Sequence, residues 1–159
     1  ANDLDSTVPA PYGSWCLEAM DAHGGWIATA DDLVRFINAL PFGEQADSTA
    51  GPARTALTAA SAQMILTIPN GESTEKDSYY GLGWTIRPSK DGSHTVWHTG
   101  SLPGTATELT RRPDGRCFAV LINSRSGAGG KNPLNEVTTA VHRALADLRT
   151  DLSASRSDQ

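Results

Sequence analysis

The chain has 159 residues, a length that fits one compact domain able to bury a sizeable core. Its 13 basic and 18 acidic residues leave a net charge of -5, so it lacks the basic field that a phosphate backbone needs, and nucleic acid is excluded as the main partner. No apolar run approaches the roughly 18 to 20 residues that cross a bilayer, and residue 1 is not followed by the basic and apolar regions of a signal peptide.

Residues 1–14 carry Pro9, Pro11 and Gly13 without periodicity and read as an irregular lead-in. A short amphipathic piece over 15–25 ends at Gly24 and Gly25, where the backbone can turn sharply. Thr29 and Asp32 form the pattern of a capping box, which starts a helix at Ala30. Leu33, Phe36, Ile37 and Leu40 make its apolar stripe, and Pro41 stops it. Residues 41–56 read as a surface loop, after which Thr58 caps a shorter helix to about Leu66.

A charged loop runs to Ser78, and 80–87 has the aromatic and branched residues of a strand, with Gly81 and Gly83 where side chains would obstruct close packing. His94 to Ser124 reads as strand, turn, strand, turn, strand. Pro113-Asp114-Gly115 is a tight turn, which makes 105–123 a β-hairpin. Loose alternation over Thr105 to Leu109 implies a half-buried strand, and the apolar run Cys117 to Ile122 a deeply buried one. Asn132-Pro133 starts a last helix whose buried face is Leu134, Val137, Val141, Leu145 and Leu148. Residues 1–149 are expected to form a single domain and the polar residues 150–159 to fray. The fold expected is α+β: an antiparallel sheet of about four strands flanked by helices.

Cys16 and Cys117 lack the spacing of a zinc site or a redox pair, and are either one long-range disulfide or two core thiols. His23 has no ligand partner at helical or hairpin spacing and reads as a hydrogen-bonded structural residue, while His94 and His142 read as exposed. No metal site or cofactor is implied. Trp15, Trp26, Trp84 and Trp97 read as packing residues, with Trp97 able to line a groove because it neighbours His98.

The polar step His98-Thr99-Gly100-Ser101, where the first of the three strands ends, is either a plain turn or one edge of an active site. Such an edge offers an imidazole, a hydroxyl and open backbone amides, the groups that bind a carboxylate and a developing oxyanion. Ser73 and Lys76 fit a Ser-x-x-Lys pattern, but in a charged loop with no apolar helix to bury Lys76 and lower its pKa.

The order GGWIATADDLVRF, YGLGW, HTGSLPG, PDGRCFAVLINS and a final helix resembles the C-terminal half of the serine β-lactamase and penicillin-binding protein family, in its class C-like, DD-peptidase and esterase branch. The resemblance implies the C-terminal part of a β-lactamase/transpeptidase-like serine hydrolase, with amide, ester or lactam substrates. His98 then stands where a Lys or His opens the third motif. Thr99 helps hold a substrate carboxylate, Gly100 leaves room beside the strand, and the backbone amide of Ser101 is half of the oxyanion hole. The catalytic Ser-x-x-Lys and the Tyr-x-Asn of the family are expected upstream of residue 1, so the chain alone is expected to be inactive. An extracytoplasmic or secreted setting follows from the family. A second expectation, from a different class, is a non-catalytic binding or regulatory module that recruits a partner or a second copy through an exposed sheet edge.

Overall fold

The computed structural model describes residue 16 and residues 18–42, 56–68 and 77–157. Expectations for the lead-in, Trp15, most of the 41–56 loop and the Ser73–Lys76 pattern lie outside these residues. A 3-10 helix, Glu18–His23, precedes helix α1 (Ala30–Asn38), helix α2 (Ala59–Ile65) and the strands β1 (Tyr79–Tyr80), β2 (Thr85–Pro88), β3 (His94–Leu102), β4 (Thr105–Arg111) and β5 (Cys117–Ile122). Helix α3 (Leu134–Ser157) closes the chain. The strands form one antiparallel sheet in the order β1-β2-β3-β4-β5, so each strand pairs with its neighbour in sequence.

The sheet has five strands where about four are expected, because the segment 80–87 is not one strand. It breaks at Gly81 to Trp84, and Gly83 has φ +80°. Gly81 is needed for a different reason, since a Cβ there would collide with the Ile65 carbonyl oxygen and lie 2.6 Å from Ile86 Cδ1. The two glycines thus do different work, one turning the chain and the other admitting helix α2 to the sheet.

Local signals place the helix starts. Thr29 Oγ1 accepts from the Asp32 amide at 3.2 Å while the Asp32 carboxylate accepts from the Thr29 amide at 3.0 Å, completing the capping box. The Thr29 hydroxyl, which donates to the Asp32 carboxylate at 2.7 Å, and then the Thr29 amide hold the exposed Asp32 carboxyl below its ordinary range. Thr58 Oγ1 accepts from the Ser61 amide at 3.1 Å, and Asn132 Oδ1 from the Leu134 amide at 2.9 Å. The β4–β5 turn also forms as expected, with Gly115 at φ +82° and its amide donating to the Arg112 carbonyl at 3.0 Å.

Helices cover the sheet from both sides. Adjacent residues of β5 show this, since Cys117 Sγ donates to Asn38 Oδ1 of α1 at 3.3 Å, while Phe118 meets His142 of α3 edge-on with ring centroids 5.0 Å apart. The main core lies on the α1 and α2 side: Ile37, Leu40, Phe42, Ala62, Leu66, Trp84, Ile86, Val96 and Leu109.

Burial departs from expectation where the strand's place in the sheet decides it. The apolar strand β5 is an edge and buries only Phe118, whereas β4, flanked by strands on both sides, buries Ala106, Leu109 and Thr110. On α3, Leu134 is buried but Val137 and Leu148 are exposed, and Thr138 is buried in place of Val137. The contact face is therefore turned toward Leu134, Thr138 and His142. The backbone helix continues to Ser157, past the expected end at 149.

Other side chains also sit differently. Trp26 is 80% exposed rather than packed. His23 ends the 3-10 helix exposed, with no side-chain hydrogen-bond partner among the described residues. His94 and His142 are half-buried rather than exposed. The cysteines are free: Cys16 is exposed, so it is not a core thiol, and burial raises the pKa of the half-buried Cys117.

Candidate active site

Strand β3 pairs with β4 from Val96 to Leu102 but with β2 only from His94 to Trp97, where Thr85 of β2 ends the ladder opposite Trp97. From His98 to Leu102, one side of β3 therefore has no strand partner among the described residues. Alternate backbone amides on that side point away from β4, toward whatever lies along the edge. The polar step singled out in the sequence occupies this open edge, so it is part of a strand and not a turn. The turn comes later, with Gly104 at φ +86°.

Side chains alternate across β3, and this sorts the candidate residues. His98 and Gly100 lie on the face toward α1 and α2; Trp97, Thr99 and Ser101 lie on the α3 face. His98, Thr99 and Ser101 are exposed. Trp97 is half-buried beneath the Arg87 guanidinium, which stands 5.2 Å from its ring centroid, so it flanks the other face of the strand from the imidazole.

The imidazole of His98 is held on two sides. Its Nε2 lies 3.1 Å from the Tyr80 hydroxyl, and Trp84 meets its ring edge-on with centroids 6.5 Å apart. Trp84 is in turn fixed by Phe42 edge-on at 5.6 Å and by Phe36 stacked at 6.5 Å. An aromatic chain thus runs from α1 to the strand edge. Gly100 faces Thr107 on β4, and a Cβ at Gly100 would lie 2.5 Å from Thr107 Oγ1. Gly100 is therefore required by its neighbour inside the sheet, in addition to any room it leaves at the edge.

Tyr80, Trp84 and Thr107 form this surrounding, and sequence reasoning did not single them out for it. The signal for Tyr80 and Trp84 was present in the YGLGW stretch, but only pairing β2 to β3 brings that stretch to His98. Glu108, directly opposite Thr99 on β4, is half-buried; burial raises its pKa, partly offset by a 2.8 Å hydrogen bond from the Thr110 hydroxyl. Among the described residues no group of three or more His, Cys, Asp or Glu side chains could hold a metal ion. No described helix is long and apolar enough to cross a membrane.

An antiparallel five-stranded sheet flanked by helices is an α+β arrangement of the kind found in serine hydrolase-like folds. A model of the Beta-lactamase family matches residues 1–142, and the chain belongs to that family. No curated protein matches it.

Proposed function

We propose that this chain supplies the substrate-binding wall of an acyl-transfer cleft, in a serine hydrolase of the class C-like, DD-peptidase or esterase kind acting on an amide, lactam or ester. The observation that supports this best is the open edge of β3 from His98 to Leu102, where imidazole, hydroxyl and glycine follow one another. In this reading the Ser101 amide donates to the oxyanion that develops on the scissile carbonyl, a contact that strengthens as charge builds in the transition state. Thr99 helps hold the substrate carboxylate, His98 offers its imidazole from the opposite face of the strand, and Gly100 lets the substrate lie close to the backbone.

The acylated serine and its base are assigned to residues other than these. The sequence holds one Ser-x-x-Lys, at Ser73 and Lys76, in a charged stretch without the apolar periodicity that would bury the lysine and depress its pKa. Strand alternation also separates His98 from the Thr99 and Ser101 hydroxyls, which does not favour a self-contained His-Ser or His-Thr pair. The chain alone binds but does not turn over, and an extracytoplasmic or secreted setting accords with such chemistry.

Two measurements test this on the purified chain. Benzylpenicillin or an activated ester should leave the intact mass unchanged, and benzylpenicillin should perturb the Thr99 to Ser101 amides in an NMR titration. A stoichiometric adduct on Ser73, or unperturbed amides at tens of millimolar ligand, would sink the proposal.

The same open edge supports a second reading, a non-catalytic module that pairs with a strand of a partner or of a second copy. Light scattering separates the two: a concentration-dependent dimer lost on placing a proline at Ser101 favours edge pairing, and a strict monomer favours the cleft.

A further inference from the structure

We infer that Tyr80 is a positioning residue for His98: its hydroxyl occupies Nε2 of the imidazole and leaves Nδ1 as the ring nitrogen offered to substrate. The inference rests on the cleft reading given above and deepens it.

Three observations converge on His98. The Tyr80 hydroxyl is 3.1 Å from Nε2, within ordinary hydrogen-bond range. The Tyr80 ring lies against the imidazole with centroids 6.1 Å apart, and Trp84 closes another side edge-on. Trp84 itself is only 7% exposed and is wedged between Phe36 and Phe42, so it forms a fixed wall. A half-turn of the imidazole about Cβ–Cγ would put Cε1 where Nε2 stands and break the bond to Tyr80, so that bond favours the present ring orientation.

The chemistry follows from what a phenol can do. It can donate to a neutral Nε2, which forces the ring proton onto Nδ1, or accept from Nε2–H when the ring is protonated. In both cases Nδ1 carries a proton and can donate to an anionic or carbonyl oxygen lying along the strand edge. A phenol that accepts from the neutral Nε2–H tautomer would leave Nδ1 as an acceptor, which suits neither oxygen. Substrate binding therefore selects the first two arrangements, and Tyr80 is exposed enough, at 54%, to reorient its hydroxyl between them. Tyr80 comes from β1, two strands from β3, and does not itself need to touch substrate.

The test uses Tyr80→Phe, which keeps the ring and removes the hydroxyl. Long-range proton–nitrogen NMR spectra of the intact chain report both ring nitrogens of His98, assigned by comparison with His98→Gln. Without ligand, Tyr80→Phe should move the Nε2 resonance and shift the tautomer ratio while leaving the Trp84 indole signal in place. With benzylpenicillin, the wild type should respond at Nδ1, and the variant at both nitrogens with affinity about fivefold weaker, the worth of one hydrogen bond.

A ligand-free spectrum unchanged by Tyr80→Phe overturns the inference, as does a wild-type response confined to Nε2. If the ligand-free change occurs but benzylpenicillin perturbs no amide from Thr99 to Ser101, the cleft reading falls and the pair has no role in substrate binding. If those amides respond equally in both proteins with equal affinity, the cleft reading stands and the positioning role falls.

Discussion

Arg112, at the tip of the β4–β5 hairpin, donates through Nη1 to Nδ1 of His142 on α3 at 2.8 Å and to the His142 carbonyl at 3.2 Å. Because a guanidinium has no acceptor, the first bond requires an unprotonated Nδ1. Arg116 makes a parallel contact, donating to the Leu145 carbonyl at 2.6 Å. The hairpin therefore grips the terminal helix through two arginines, and the grip depends on the charge state of one histidine.

That dependence has a sign. Burial, then the charges of Arg112 and Arg87, lower the His142 pKa from its ordinary 6.5, with Asp114 opposing them. The folded state thus favours the neutral ring, and its contribution to stability is complete above the unfolded value near 6.5. As pH falls below that value the unfolded chain takes up the proton first, and the contribution is lost until the folded ring is protonated too. Thermal unfolding from pH 7.5 to 4.5 should show a steeper acid-side fall in wild type than in His142→Asn, whose side-chain oxygen still accepts from Arg112. Parallel curves would contradict the account.

Arg112→Met should cost about 1 to 2 kcal/mol in urea unfolding, since it removes hydrogen bonds from a charged donor that is partly exposed. The same variant should raise amide exchange in 138–145 more than in β2. Uniform acceleration across the chain would show a global effect rather than loss of the grip.

Gly100→Ala should destabilise the fold by about 1 kcal/mol, because Thr107 Oγ1 stands 2.5 Å from the new methyl and must leave its rotamer. Combining it with Thr107→Ala, which removes that oxygen, should recover most of the loss. A double variant no better than the sum of the two singles would refute the steric explanation.

Gly81→Ala should be worse, at about 3 kcal/mol, since one of the colliding atoms is the backbone oxygen of Ile65 and cannot rotate away. No truncation of Ile86 should rescue it fully. Denaturant midpoints of Gly81→Ala with and without Ile86→Val decide the matter.

Thr29→Ala removes the cap that receives the Asp32 amide and should cost about 1 kcal/mol. Thr29→Ser, which keeps the oxygen, should lie within a few tenths of wild type. Equal losses for the two would point to the methyl group instead.

Much of this molecule is legible along the chain because the responsible interactions are local. The caps at Thr29, Thr58 and Asn132 and the Pro113–Gly115 turn depend on residues at most three positions apart, and each forms as the sequence dictates. The ordered motifs likewise carry the family, which residues 1–142 match. What the chain alone does not decide is which neighbours share each face. The apolar residues of β5 stay partly open because only its position at the sheet edge determines that it has one strand neighbour. Val137 faces solvent and Thr138 the core, because the angle at which α3 meets the sheet selects its buried stripe. At the candidate site, the sequence establishes that His98, Thr99, Gly100 and Ser101 are consecutive, and strand alternation then separates their side chains. Tyr80 reaches His98 from 18 residues away only because β2 folds back on β3 and stops at Trp97. That early stop is a tertiary outcome, and it is what leaves the edge of β3 open.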